Sequence, residues 1–149
     1  QREEILAALA VVDINGRKPD SYREGVVWAP AWKADGLLIT LRKSLAEYSP
    51  STMYRDYALS RDLFHWESQS TTALSSAQGV RYVTQRARGG NVLLFVRETK
   101  TNDLGTDPYL FLGPADYVSH TGERPIQITW SLRHPMPVET YLAASAVAQ

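Results

Sequence analysis

Residues 126–132, IQITWSL, alternate apolar and polar side chains with a period of two. Ile126, Ile128, Trp130 and Leu132 share one face, and Gln127, Thr129 and Ser131 share the other. Only an extended strand with one face buried and one face wet puts such a pattern to use. Residues 92–96, VLLFV, form a continuous apolar run, which suits a strand covered on both faces. A chain holding both is built around a sheet. The segments GVVWAP (25–30) and LLITLRK (37–43) add two more strands, with Ala34-Asp35-Gly36 as the turn between them. YLFLG (109–113) and ADYVS (115–119) read as short strands about Pro114, and MYRDYAL (53–59) and LFHWES (63–68) complete a set of about seven.

Three helices accompany them. Residues 2–11 place Ile5, Leu6 and Leu9 on one side, with Glu3 and Glu4 in the first turn. Ser75 or Ser76 caps a second helix running to about Arg88, closed by Gly89-Gly90. The Ala-rich stretch 138–148 is the third, after Pro135 and Pro137. Residues 17–24 and 101–108 read as loops. The expected architecture is α+β: a bent, mostly antiparallel sheet or partly closed barrel with about three flanking helices.

At 149 residues, a single domain over 1–149 buries roughly 68–70% of its unfolded surface. A core therefore forms without metal or disulfide, and cysteine is absent, which excludes thiol chemistry. Acidic and basic residues number 16 each, so indiscriminate attraction to nucleic acid is not expected. No apolar run is long enough to span a membrane. The mixed charges of Gln1-Arg2-Glu3-Glu4 do not resemble a secretory leader, and a cytoplasmic setting is expected. The first residue is not Met, so the chain is expected to be a module of a larger protein.

The richest chemistry lies in 48–82. Tyr48, Tyr54, Tyr57, Phe64, Trp66 and Tyr82 are interspersed with Ser49, Ser51, Thr52, Ser68, Gln69, Ser70, Thr71 and Thr72. Ring faces stack on planar groups, and short polar side chains with an amide read their edges. A base flipped from a duplex needs both. Trp66, Tyr54, Tyr57 and Tyr82 are the candidate rings, and Asp56, Ser68 and Gln69 the candidate readers. Asp56 would accept from a cytosine amino group. The competing account of the stretch is a core hairpin with a polar turn.

Residues 81–100 hold Arg81, Arg86, Arg88, Arg97 and Lys100 against Glu98, a net of +4. These five are candidate phosphate contacts, with Gly89-Gly90 allowing close backbone approach. An ordinary solvated basic helix is the alternative. His65, His120 and His134 lack metal-ligand spacing, and no Gly-x-Ser-x-Gly elbow is present. No cofactor or metal is expected. Glu98 and Lys100 on one strand face, with Asp20 or Asp103, would be the basis for a metal-dependent nuclease.

The motifs YSPSTMYRDYALS, FHWESQS, LLFVRETK and FLGPADYVSHTGERP, with His134-Pro135-Met136-Pro137, resemble a bacterial domain-of-unknown-function family. That family is found C-terminal to superfamily II helicase modules, often with a phospholipase-D-type nuclease module. The resemblance runs from REEILAAL to HPMP. The chain departs at Glu67, where the family's FHWQSQS has an amide. The resemblance implies a role in DNA restriction or anti-phage defence. By analogy with modification-dependent restriction, it points to a reader of SRA/PUA-like type. The expected function is non-enzymatic binding of double-stranded DNA carrying a modified base, 5-methylcytosine first. A protein-interaction module of a helicase or nuclease, and the nuclease above, stand as alternatives.

Overall fold

The computed structural model describes residues 25–42, 56–99, 101–102, 105–106 and 108–147. The expected helix at 2–11 lies outside them. Strand β1 (Val26–Ala29) turns through a 3-10 segment (Pro30–Trp32) into β2 (Ala34–Arg42). Then come β3 (Tyr57–Ser60), β4 (Leu63–Glu67), helix α1 (Ala77–Val83) and β5 (Asn91–Thr99). A small hairpin, β6 (Thr101–Asn102) and β7 (Gly105–Thr106), precedes β8 (Leu110–Thr121), β9 (Gln127–Leu132) and helix α2 (Val138–Val147).

Seven strands form one mixed sheet in the order β1-β2-β5-β8-β9-β4-β3. Only the β2–β5 pair is parallel; the other five neighbouring pairs run antiparallel. With β1 and β3 as edges, the sheet is open rather than a closed barrel. Helix α2 nevertheless contacts both β3 and β2, which lie five places apart. Five places span about 24 Å in a flat sheet, whereas a ten-residue helix is only about 15 Å long. The sheet therefore curls towards α2.

The period of two decides which side chains enter the core. Leu37, Ile39 and Leu41 of β2, Val92, Leu94 and Val96 of β5, Phe64 and Trp66 of β4, and Ile128, Trp130 and Leu132 of β9 share one buried cluster. Across the sheet, Val27, Ala29, Ala34 and Leu38 form a smaller cluster, with Leu93, Phe95 and Tyr109 against it. This second layer explains the unbroken apolar run of β5. Among the described residues, two helices are α-helical, and neither is long and apolar enough to cross a membrane.

The local chemistry departs from expectation at three places. Ala34-Asp35-Gly36 is strand rather than turn, because Pro30–Lys33 already reverses the chain. Lys33 takes the left-handed conformation (φ 48°) and its N–H donates to the Pro30 carbonyl. Asp35 then pairs with Trp28 across the hairpin. Second, β8 runs unbroken through Pro114. The proline follows Gly113 (φ 95°), and a register shift between Leu94 and Phe95 opposite absorbs the irregularity. Third, α1 stops at Val83, and residues 84–89 continue as turns.

Ser76 caps α1, its Oγ accepting from Gly79 N at 3.0 Å. A helix of seven residues has little intrinsic stability of its own. Ser76→Ala should destabilise the domain by about 1 kcal/mol, read as a lower urea midpoint. An unchanged midpoint would show that packing alone holds α1.

Candidate base-reading site

The segment after β4 is held against the β8–β9 turn. Ser68 N donates to the Ile126 carbonyl at 2.9 Å, and Ile126 N donates back to Ser68 Oγ at 2.8 Å. Arg124 N donates to the Thr72 carbonyl, and Leu74 N to Glu123 Oε1. These bonds fix the backbone around Gln69. The Gln69 side-chain oxygen accepts from Thr72 Oγ1 at 3.1 Å and from the Tyr82 hydroxyl at 3.2 Å. Two donors on one oxygen set which end of the amide is which. The Nε2 group therefore points away from both, and among the described residues nothing accepts from it. Gln69 is half-buried.

Asp56 stands beside this segment. Its carboxylate is 8% exposed and accepts from Glu67 N at 2.9 Å, two residues before Gln69. Asp56, Ser68, Gln69 and Tyr82 are thus gathered at one end of β4. Glu67 contributes its backbone N–H here.

The rings are divided between the two faces of the sheet. Trp66 is 4% exposed and Tyr82 is fully buried, meeting edge-to-face at 5.2 Å. Trp66 also lies 6.3 Å from Trp130. These rings form the floor under the polar cluster, so Trp66 and Tyr82 present no open stacking face; the expectation that they would is corrected on this point. Tyr57 lies opposite His65 in register and stacks on it at 4.6 Å, on the face away from Trp66. Tyr57 and Trp66 therefore cannot sandwich one ligand. Tyr54 lies outside the described residues.

The basic set is also divided. Arg81 chelates Asp35, donating from Nε at 3.1 and 3.3 Å and from an Nη at 2.9 Å. Arg97 is 8% exposed, donates to Thr40 Oγ1 and lies over the Tyr109 ring at 4.5 Å. Both guanidiniums hold the fold together. Arg86 is exposed, and Arg88 is partly exposed beside Asp35. Lys100, like Asp20 and Asp103, lies outside the described residues. Glu98 is exposed, and among the described residues no three His, Asp or Glu side chains gather as metal ligands do.

Sequence reasoning missed two buried polar groups. Asp35 is fully buried, and desolvation raises its carboxyl above the ordinary carboxylate range against the opposing pull of Arg81 and Arg88. Gln85, 2% exposed, donates to the Gly90 carbonyl and to Asp116 Oδ1 and accepts from Tyr117 N. Asp116 in turn pairs with Arg133 at 2.9 Å, which lowers its pKa. Neither Asp35 nor Gln85 stands in a recognisable motif; Asp35 in particular sits in a tripeptide with turn composition.

The model of the family described as Domain of unknown function (DUF3427) matches residues 7–144. The chain belongs to that family. No curated protein matches it. The DUF3427 match spans every element of the main sheet and most of α2, so the Asp56–Gln69 cluster lies within the family's domain.

Proposed function

We propose that this DUF3427 domain is a DNA-binding reader of a modified base, 5-methylcytosine foremost, serving DNA restriction or defence in the bacterial cytoplasm beside helicase or nuclease modules. The observation that carries the reading is the clamped Gln69 amide, its oxygen occupied and its two N–H donors without an acceptor among the described residues. The Asp56 carboxylate, which accepts from Glu67 N, stands near it. On the Watson–Crick edge of cytosine the ring nitrogen and carbonyl accept, which matches the Gln69 donors. The buried Trp66–Tyr82 floor keeps the readers from moving, which limits the entropy lost on binding. The reading is of a binding module rather than an enzyme.

Gln69→Glu tests it with little disturbance to the fold. A carboxylate still accepts from Thr72 and Tyr82 but has no N–H to offer. Affinity for a duplex carrying 5-methylcytosine should fall about ten- to a hundredfold, with the melting temperature held. Wild-type affinity in this variant would remove Gln69 from the site and with it the reading.

A second reading, a docking module for a helicase or nuclease, has its own observation. Phe111 is 53% exposed and stacks on Phe95 at 4.9 Å. On that account no duplex binds, modified or not, and the outer face of β5 and β8 meets a protein.

A further inference from the structure

Arg88 does not share the fate of Arg81 and Arg97. Its Nη2 donates to the Arg81 carbonyl at 2.8 Å and lies 4.0 Å from Asp35 Oδ2. The Arg81 guanidinium sits 4.4 Å from the Trp28 ring centroid and that of Arg88 5.9 Å from it. Two guanidiniums thus face one indole and one carboxylate, and Arg81 takes both carboxylate oxygens at hydrogen-bond distance. One positive charge is left over. Among the described residues the Arg88 Nε is buried without a hydrogen-bond partner, and the one side-chain hydrogen bond of Arg88 is that of Nη2. The side chain is still 27% exposed, against 18% for Arg81. Gly90 makes room: a Cβ there would collide with the Arg88 guanidinium.

We infer that Arg88 is a preset anchor for a DNA backbone phosphate, with Asp35, Trp28 and Arg81 as the residues that position it. An arginine already held by a ring, a carboxylate and a carbonyl has surrendered its rotamer freedom before the ligand arrives. Its excess charge and the exposed end of its guanidinium match a phosphodiester oxygen. Asp35 holds the pair in place but cannot neutralise both cations. Of the four described basic candidates, Arg81, Arg86, Arg88 and Arg97, Arg88 is the one combining fixed geometry, exposure and unused donors. The inference rests on the DNA-binding reading, but concerns the backbone rather than the base.

The test is a titration of the 149-residue chain with two duplexes, identical except for 5-methylcytosine, across a series of salt concentrations. Arg88→Gln should weaken binding to both by the same factor, about three- to tenfold, and reduce the salt slope by about one. The ratio between the duplexes should not move. An unchanged slope with full affinity overturns the anchor. So does a loss confined to the methylated duplex, which would make Arg88 part of base recognition. A wild type that binds both duplexes equally defeats the base-reading proposal, while the slope still decides the anchor; one that binds neither defeats both. Should Arg88→Gln fail to fold, phenylglyoxal footprinting of the wild type replaces it. Arg88 should react in the free protein and be protected by saturating duplex, and equal reactivity with and without DNA overturns the inference.

Discussion

Trp66→Ala is expected to lower the stability of the domain by about 3–5 kcal/mol. The indole is 4% exposed and touches Tyr82 edge-on and Trp130 obliquely, in the centre of the main core. Truncation would leave a cavity between β4, β9 and α1 that β-strands pinned by cross-strand hydrogen bonds cannot collapse to fill. At roughly 2–4 °C per kcal/mol for a chain of this size, the melting temperature should fall by about 6–20 °C. Calorimetry reads this directly. A variant that melts with the wild type but no longer binds DNA would mean that the ring is a stacking face after all, opened by a rearrangement of the site. The sequence alone favours that second outcome; the burial of the ring reverses the expectation.

Asp35→Ala should be comparably damaging, by about 3–5 kcal/mol, for an electrostatic reason. The fully buried carboxylate is the only acceptor Arg81 has at hydrogen-bond distance among the described residues, and the nearest counter-charge to Arg88. Its removal leaves two cations over Trp28, tethering α1 and its following turn to nothing. The pH dependence has a definite sign. Burial raises the Asp35 pKa, so across the window from about 3.8 up to the raised folded value the native state binds more protons than the unfolded one. In that window this group makes stability fall as pH rises. Asp116 acts oppositely: its pKa is lowered by Arg133, so its contribution is present above about 3.8 and lost as pH falls through the lower folded value. Asp35→Asn should therefore remove the first dependence and keep the second. Equal stability of Asp35→Ala and wild type in urea would show that the ion pair is dispensable.

Much of the sheet was legible because a period of two is a direct imprint of a half-buried strand. The alternation in 126–132 gives β9 its buried face residue by residue, and the apolar run at 92–96 lies within the central strand β5. In β4 the same alternation puts Phe64 and Trp66 on one side. A period of two assigns residues to the same face but does not say which face is inside. From sequence Trp66 therefore reads as a ligand-facing ring although it is core, and Tyr57 groups with it although the sheet divides them. Pairing of distant strands left no local trace either. The parallel contact of β2 with β5 joins residues 57 apart in sequence, and Asp35 of β2 meets Arg81 of α1. A buried ion pair of that kind depends on tertiary contact, so Ala34-Asp35-Gly36 kept the composition of a turn while serving as strand. Gln69 was identified by residue type, but the clamp on its amide comes from Thr72 and Tyr82, whose approach only the folded chain reveals.

The most direct measurement is a calorimetric titration of the intact chain with three duplexes of one sequence, carrying cytosine, 5-methylcytosine or N6-methyladenine. A base reader should bind the 5-methylcytosine duplex at least tenfold more tightly than the unmodified one, a difference of about 1.4 kcal/mol. Equal affinity for all three, or binding to none, would contradict it.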